Sequence, residues 1–147
     1  MERFGQVGIA IAALGITLAF MGLFPGITGA EPTRGIGIVQ VMLWLTGYFL
    51  LMLGAIIYVK FTFYLNQSRT LGQDIGVRLA LTGLLFAGIF GFADIFGFGS
   101  HLRSATSDIF LGQWQAFGIL ASFTISVIGI LMYSMLGQLD QNDHPEN

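Results

Sequence analysis

The chain contains no cysteine, which excludes disulfides, thiolate metal sites and iron–sulfur clusters. Charge is scarce as well: 10% of its 147 residues are Asp, Glu, Lys or Arg, against about 25% in soluble domains. The net charge of −2 supplies no electrostatic reason to bind nucleic acid. The sequence also lacks an H-E-x-x-H motif, a glycine-rich phosphate loop and a nucleophile–base pair, the arrangements on which hydrolytic and phosphoryl-transfer chemistry is built. The expectation is that the protein is not an enzyme and carries no intrinsic cofactor.

What is present is apolar. Hydrophobic residues make up 54% of the chain, with 21 glycines and 14 phenylalanines, and the mean hydropathy is +0.78. This is the composition of an integral membrane protein. Four spans are predicted, at about 7–24, 36–59, 77–98 and 110–136, each long enough for roughly 30 Å of hydrocarbon. Pro25-Gly26 ends the first, Glu31-Pro32 suits entry to the second, and Ser107 or Asp108 suits the N-cap of the fourth. Together they make a single all-α domain over 1–139, two tandem hairpins of helices, followed by a polar acidic tail over 140–147. The start of the chain imitates a signal peptide, with Arg3 and the small pair Thr28 and Ala30. Its apolar run of about 18 residues exceeds the usual 7–15, so it reads as a true span.

Lys and Arg set the orientation. Arg3, Lys60, Arg69 and Arg78 fall on one side and only Arg34 and Arg103 on the other. The positive-inside rule then places both termini in the cytoplasm, in a membrane expected to be the bacterial inner membrane.

Small residues run through the first span as a seam: Gly5, Gly8, Ala12, Gly15, Ala19, Gly22 and Gly26 alternate at spacings of three and four. On a helix this is one narrow stripe. In lipid, where burying apolar area gives no advantage, such a stripe lets a second backbone approach closely. Gly83, Ala87 and Gly91 form a second ridge at four-residue spacing, which suggests a close, right-handed crossing. Two seams exceed what four helices need internally, so one is expected to dock on another subunit. Gly88 and Gly97 extend the bare surface of the second ridge, and Phe86, Phe90, Phe92, Phe96 and Phe98 surround it, with lipid as their expected neighbour.

A shift of 68 residues lays Gly8, Ala12, Gly15 and Ala19 on Gly76, Ala80, Gly83 and Ala87; a shift of 75 lays Gly37, Gln40, Gly54 and Tyr58 on Gly112, Gln115, Gly129 and Tyr133. A parallel internal repeat is one reading; chance matching between glycine-rich apolar segments is the other.

Few residues are candidates for chemistry. Asp94 is the one acid inside a predicted span, about 24 Å along the helix from Arg78 and so near an interface. It reads as a cation ligand or, preferably, as part of a polar cluster with His101, Arg103 and Arg34. His101 is also a candidate axial ligand for haem or pigment, but His144, the other histidine, falls on the opposite side. Gln40 and Gln115 are candidate quinone contacts or, more ordinarily, cross-helix hydrogen bonds. Trp44, Trp114, Tyr58, Tyr64 and Tyr133 mostly fit interfacial aromatic belts, with Trp44 somewhat deeper.

The sequence therefore points to a non-enzymatic accessory subunit of a larger membrane assembly, respiratory or photosynthetic. It would pack against other integral subunits and lipids through its small-residue seams. The alternative is a small homo-oligomeric channel or transporter using Asp94 and the glutamines.

Overall fold

The computed structural model describes residues 2–24, 26, 38–65, 68–93, 96–97 and 112–143, the side chains of residues 2 and 137–143 excepted. It is all-helical: α1 (Glu2–Leu23), α2 (Ile38–Phe63), α3 (Leu71–Phe92) and α4 (Gln113–Asp143). Each is long and apolar enough to cross a membrane.

The helices overrun the apolar segments where local chemistry lets them. α3 starts six residues before the predicted span because Thr70 and Gln73 form a reciprocal capping box there. The Thr70 hydroxyl accepts from the Gln73 backbone N–H while the Gln73 side chain accepts from that of Thr70, so two orphan donors of the first turn are satisfied. α3 ends at Phe92, with Ala93 closing the last turn on the Phe90 carbonyl. α2 carries on through Lys60, whose charge near the C-terminus favours the helix dipole. α4 continues into the predicted tail as far as Asp143. The proposed caps at Glu31-Pro32 and at Ser107 or Asp108 lie outside the described residues.

α1 lies along α2, and the contacts run in opposite senses: Gly5 is next to Thr62, Gly8 meets Gly54 and Tyr58, and Gly22 meets Trp44. The fit is backbone on backbone. A Cβ at Gly8 would stand 2.7 Å from Tyr58 N, and one at Gly15 would stand 2.6 Å from the Gly47 carbonyl oxygen. Real side chains do not tolerate such distances, so glycine is required by the approach itself. α3 and α4 meet in the same manner, with a Cβ at Gly76 falling 2.6 Å from Gly129 O and one at Gly129 falling 2.5 Å from Ala80 N.

Both small-residue seams are thus occupied within the chain, apart from Gly26 at the end of the first, which is exposed with nothing within 4 Å of where its Cβ would be. Gly8, Gly15 and Gly22 are buried against α2, with Ala12 and Ala19 half-buried beside Gly54 and Gly47. Gly83 is buried against Ser122 and Ser126 of α4, Ala87 is fully buried, and Gly91 sits under Trp44 and Val41 of α2. The expectation of a spare seam does not hold among the described residues, because α2 presents two faces. Gly47 and Gly54 turn toward α1, while Trp44, Tyr48 and Met52 join Ala80 and Ala87 of α3 in the main core. α2 is therefore the central helix, touching α1, α3 and α4.

Candidate functional site

The core between α2 and α4 is aromatic. Phe123 meets Tyr48 edge-on at 4.4 Å between ring centroids and Trp44 at 5.6 Å, geometries that favour the ring quadrupoles. This corrects the belt assignment: Trp44, Tyr64 and Tyr133 are buried inside the protein, while Trp114 and Tyr58 are exposed. Glycine makes the room. Trp44 rests over Gly22 and Gly91, and the Tyr133 backbone crosses Gly76.

Several polar atoms are enclosed with this core. Ser126 Oγ donates to the Ala80 carbonyl at 3.0 Å, a bond from α4 to α3, and Ser122 Oγ donates to Gly118 O in its own helix. The Tyr48 hydroxyl lies near Ser126 and makes no hydrogen bond of normal geometry among the described residues. At the other end of the bundle Tyr64 donates its hydroxyl proton to Ser134 O and ties the end of α2 to α4. Burial pushes the Tyr64 phenol above its usual pKa, since enclosure disfavours the phenolate.

Gln115, in the first turn of α4, is 4% exposed. Its Nε2 donates to the Phe90 carbonyl at 2.8 Å, which also accepts the Ala93 N–H at 3.4 Å where α3 stops. Since Phe90 O can only accept, this bond fixes which end of the amide is nitrogen. The Oε1 that remains is buried and has no donor among the described residues, an arrangement that costs about 1–3 kcal/mol. Gln40, its counterpart in the sequence, is half-buried on α2 and also has a partner.

Beside Gln115 opens an apolar groove of about 960 Å³, walled by α2, α3 and the start of α4. Leu45 and Phe49 form one side, Leu81, Leu85, Ile89 and Phe92 the other, and Trp114 and Phe96 its outer end. Gly88 lies in this groove with open space where a Cβ would be. It belongs to the groove wall and not to the packed ridge of Gly83, Ala87 and Gly91. The sequence carries a signal for it: Leu81, Leu85, Gly88 and Phe92 recur at helical spacing, a glycine interrupting a stripe of large side chains.

The remaining candidates, Asp94, His101, Arg103 and Arg34, lie outside the described residues, as does Phe98. Among the described residues no group of three or more His, Cys, Asp or Glu side chains is placed to hold a metal ion. The arrangement on hand is an apolar groove with the buried amide of Gln115 at one end. Compared with known proteins, the chain matches no protein-family model, no curated protein and no solved structure.

Proposed function

We propose that this chain is a non-enzymatic accessory subunit of a larger membrane assembly, with an electron-transport complex of the bacterial cytoplasmic membrane as the preferred host. The observation that carries the reading is how α1 is used. Its buried described residues are all glycines, Gly5, Gly8, Gly15 and Gly22. Phe4, Val7, Ile9, Leu14, Ile16 and Phe20 are therefore left exposed on an edge helix whose tightest contacts are backbone on backbone, with the Phe4 ring also stacked on Phe61 of α2. A stiff edge with its bulk outward packs by dispersion against acyl chains or the side chains of a neighbouring helix.

The same reading treats the molecule as two tandem hairpins, copies of one unit, with both termini cytoplasmic. The packing register supports the duplication. Contacts Gly8–Tyr58, Ala12–Gly54 and Gly15–Leu51 become Gly76–Tyr133, Ala80–Gly129 and Gly83–Ser126 when shifted by 68 and 75 residues, and all six are present. A shared register is what two copies of one unit would give.

Purification of the tagged chain from its native membranes in mild detergent, with mass spectrometry and an absorption spectrum, is the test. Stoichiometric recovery of larger, cofactor-bearing subunits is the expected result. A homogeneous homo-oligomer without partners would overturn it and make Asp94 the next residue to change.

A further inference from the structure

We propose that the α1–α2 pair and the α3–α4 pair are two rigid bodies that swing about the Tyr64–Ser134 end of the bundle, and that the groove between α2, α3 and α4 is the open position of this swing. Closing it seats the Phe49 ring over Gly88 and completes a hydrogen bond from Tyr48 to Ser126.

Each pair is locked internally. Backbone lies on backbone from Gly8 to Gly22 in the first and from Gly76 to Gly83 in the second. Helices packed that closely move as one piece, because a dense interface has no slack in which to deform gradually. Across the pairs the contact is of another kind. Of the described glycines, Gly91 is the one with a neighbour in the other pair, and it meets the side chains of Trp44 and Val41. The core between the pairs sets Trp44, Tyr48 and Met52 against Ala80, Ala87 and Phe123. Side chains packed in this way slide over one another where interlocked backbones cannot.

The contact between the pairs is also uneven along the bundle. At one end Val59, Tyr64 and Tyr133 pack together, and Tyr64 donates its hydroxyl proton to Ser134 O. Toward the other end Leu45 and Phe49 stand across the groove from Leu85, Gly88 and Ile89. Packed at one end and parted at the other, the pairs have the geometry of a hinge. Two features mark the closed position. α2 and α3 run in opposite senses and Trp44 meets Gly91, so Gly88 is level with the stretch between Leu45 and Phe49. Nothing lies within 4 Å of where a Gly88 Cβ would be, which leaves a notch for the Phe49 ring. The Tyr48 hydroxyl lies near Ser126 without a normal hydrogen bond, and a small movement of α2 toward α4 completes it. In lipid, closing gains packing and that one bond, with no advantage from apolar burial itself. A gain of that size leaves both positions populated.

Because the chain has no cysteine, pairs of nitroxide labels can be placed by substitution in the full chain in lipid nanodiscs. Their separations are then read by double electron–electron resonance. All the sites are exposed. Met42→Cys with Phe117→Cys spans the groove end, Phe63→Cys with Met135→Cys spans the hinge end, and Ile9→Cys with Met42→Cys lies within α1–α2. Two distances are expected at the groove end and one for each of the other pairs. Gly88→Phe, which starts from open space, should fill the notch and leave only the longer distance. Tyr48→Phe should raise the ratio of longer to shorter by about threefold to tenfold, the range of one net hydrogen bond. A single distance at the groove end, as narrow as the one within α1–α2, overturns the proposal. Two distances that neither substitution shifts overturn it as well. So does an equal spread at the hinge end, which would mean general loosening and not a swing.

Discussion

The α1–α2 and α3–α4 interfaces share a register and differ in chemistry. Between α1 and α2 the tightest contacts are glycine or alanine against backbone, at Gly8, Gly15, Gly47 and Gly54. Between α3 and α4 the positions matching Gly47 and Leu51 are Ser122 and Ser126, and Ser126 adds a hydrogen bond to Ala80 O. The position matching Gly22 is Phe90, whose ring covers Gly118 and whose carbonyl receives Gln115. One interface holds by close backbone approach and the stacked rings of Phe4 and Phe61. The other combines proximity with polar bonds and opens at one end into the groove. Small residues set how close two membrane helices come, and the few polar residues added to that frame decide where a site can form.

The largest effect that would break this comparison is steric. Gly15→Leu should separate α1 from α2, because even its Cβ has no space beside Gly47 O; overpacking costs about 1–3 kcal/mol and here at least the upper end. Gly83→Leu should do the same between α3 and α4, where a Cβ would stand 2.5 Å from Ser122 O. Thermal unfolding in detergent, with cysteine cross-links introduced across each pair, would show which interface opens. Normal cross-linking in Gly15→Leu would show that α1 is not held by its seam.

Polar changes come next and should touch the second interface only. Gln115→Leu removes the shorter of two bonds to the Phe90 carbonyl and leaves only the longer one from the Ala93 N–H; it should lower stability by about 1 kcal/mol. Ser126→Ala should cost about 0.6 kcal/mol, the average of interhelical bonds in membranes. Losses well above these values would mean that the bonds, rather than the close approach, hold α3 to α4.

The smallest effect concerns pH. Tyr64 has a phenol pKa raised by burial, so the unfolded chain loses this proton first as pH rises. The stabilising contribution is complete below the ordinary value of 10.0 and fades as pH climbs from there through the folded value. Tyr64→Phe should lose the bond to Ser134 and show a shallower alkaline decline in melting temperature. An identical alkaline profile in the mutant would remove Tyr64 from the account.

Much of the frame was legible in the sequence. Four long apolar segments were visible because crossing lipid demands length and hydropathy, which are local properties. The seam read from Gly5 to Gly26 was visible because close approach demands small residues at helical spacing, although its last member, Gly26, meets nothing. Its partner was not, since spacing shows which face is bare and never what meets it. The aromatic reading missed the burial of Tyr64 and Tyr133 for a related reason: an interfacial tyrosine and one seated over a glycine look alike until Gly76 is found beneath Tyr133. Gly88 was grouped with the ridge on composition, and only its place between Leu85 and Phe92 on the helix puts it in the groove.

By itself the sequence determined that the chain is helical, apolar enough to span a membrane four times, and built around stripes of small residues. Those outcomes follow from backbone hydrogen bonding in a medium without water and from side-chain size, both readable one segment at a time. The tertiary structure decided that α2 is the central helix, that both ridges close within the chain, and that Gln115 is left with a free acceptor beside an apolar groove. Each of these depends on which helix lies against which, and that is settled only when residues far apart in the chain compete for the same few ångströms.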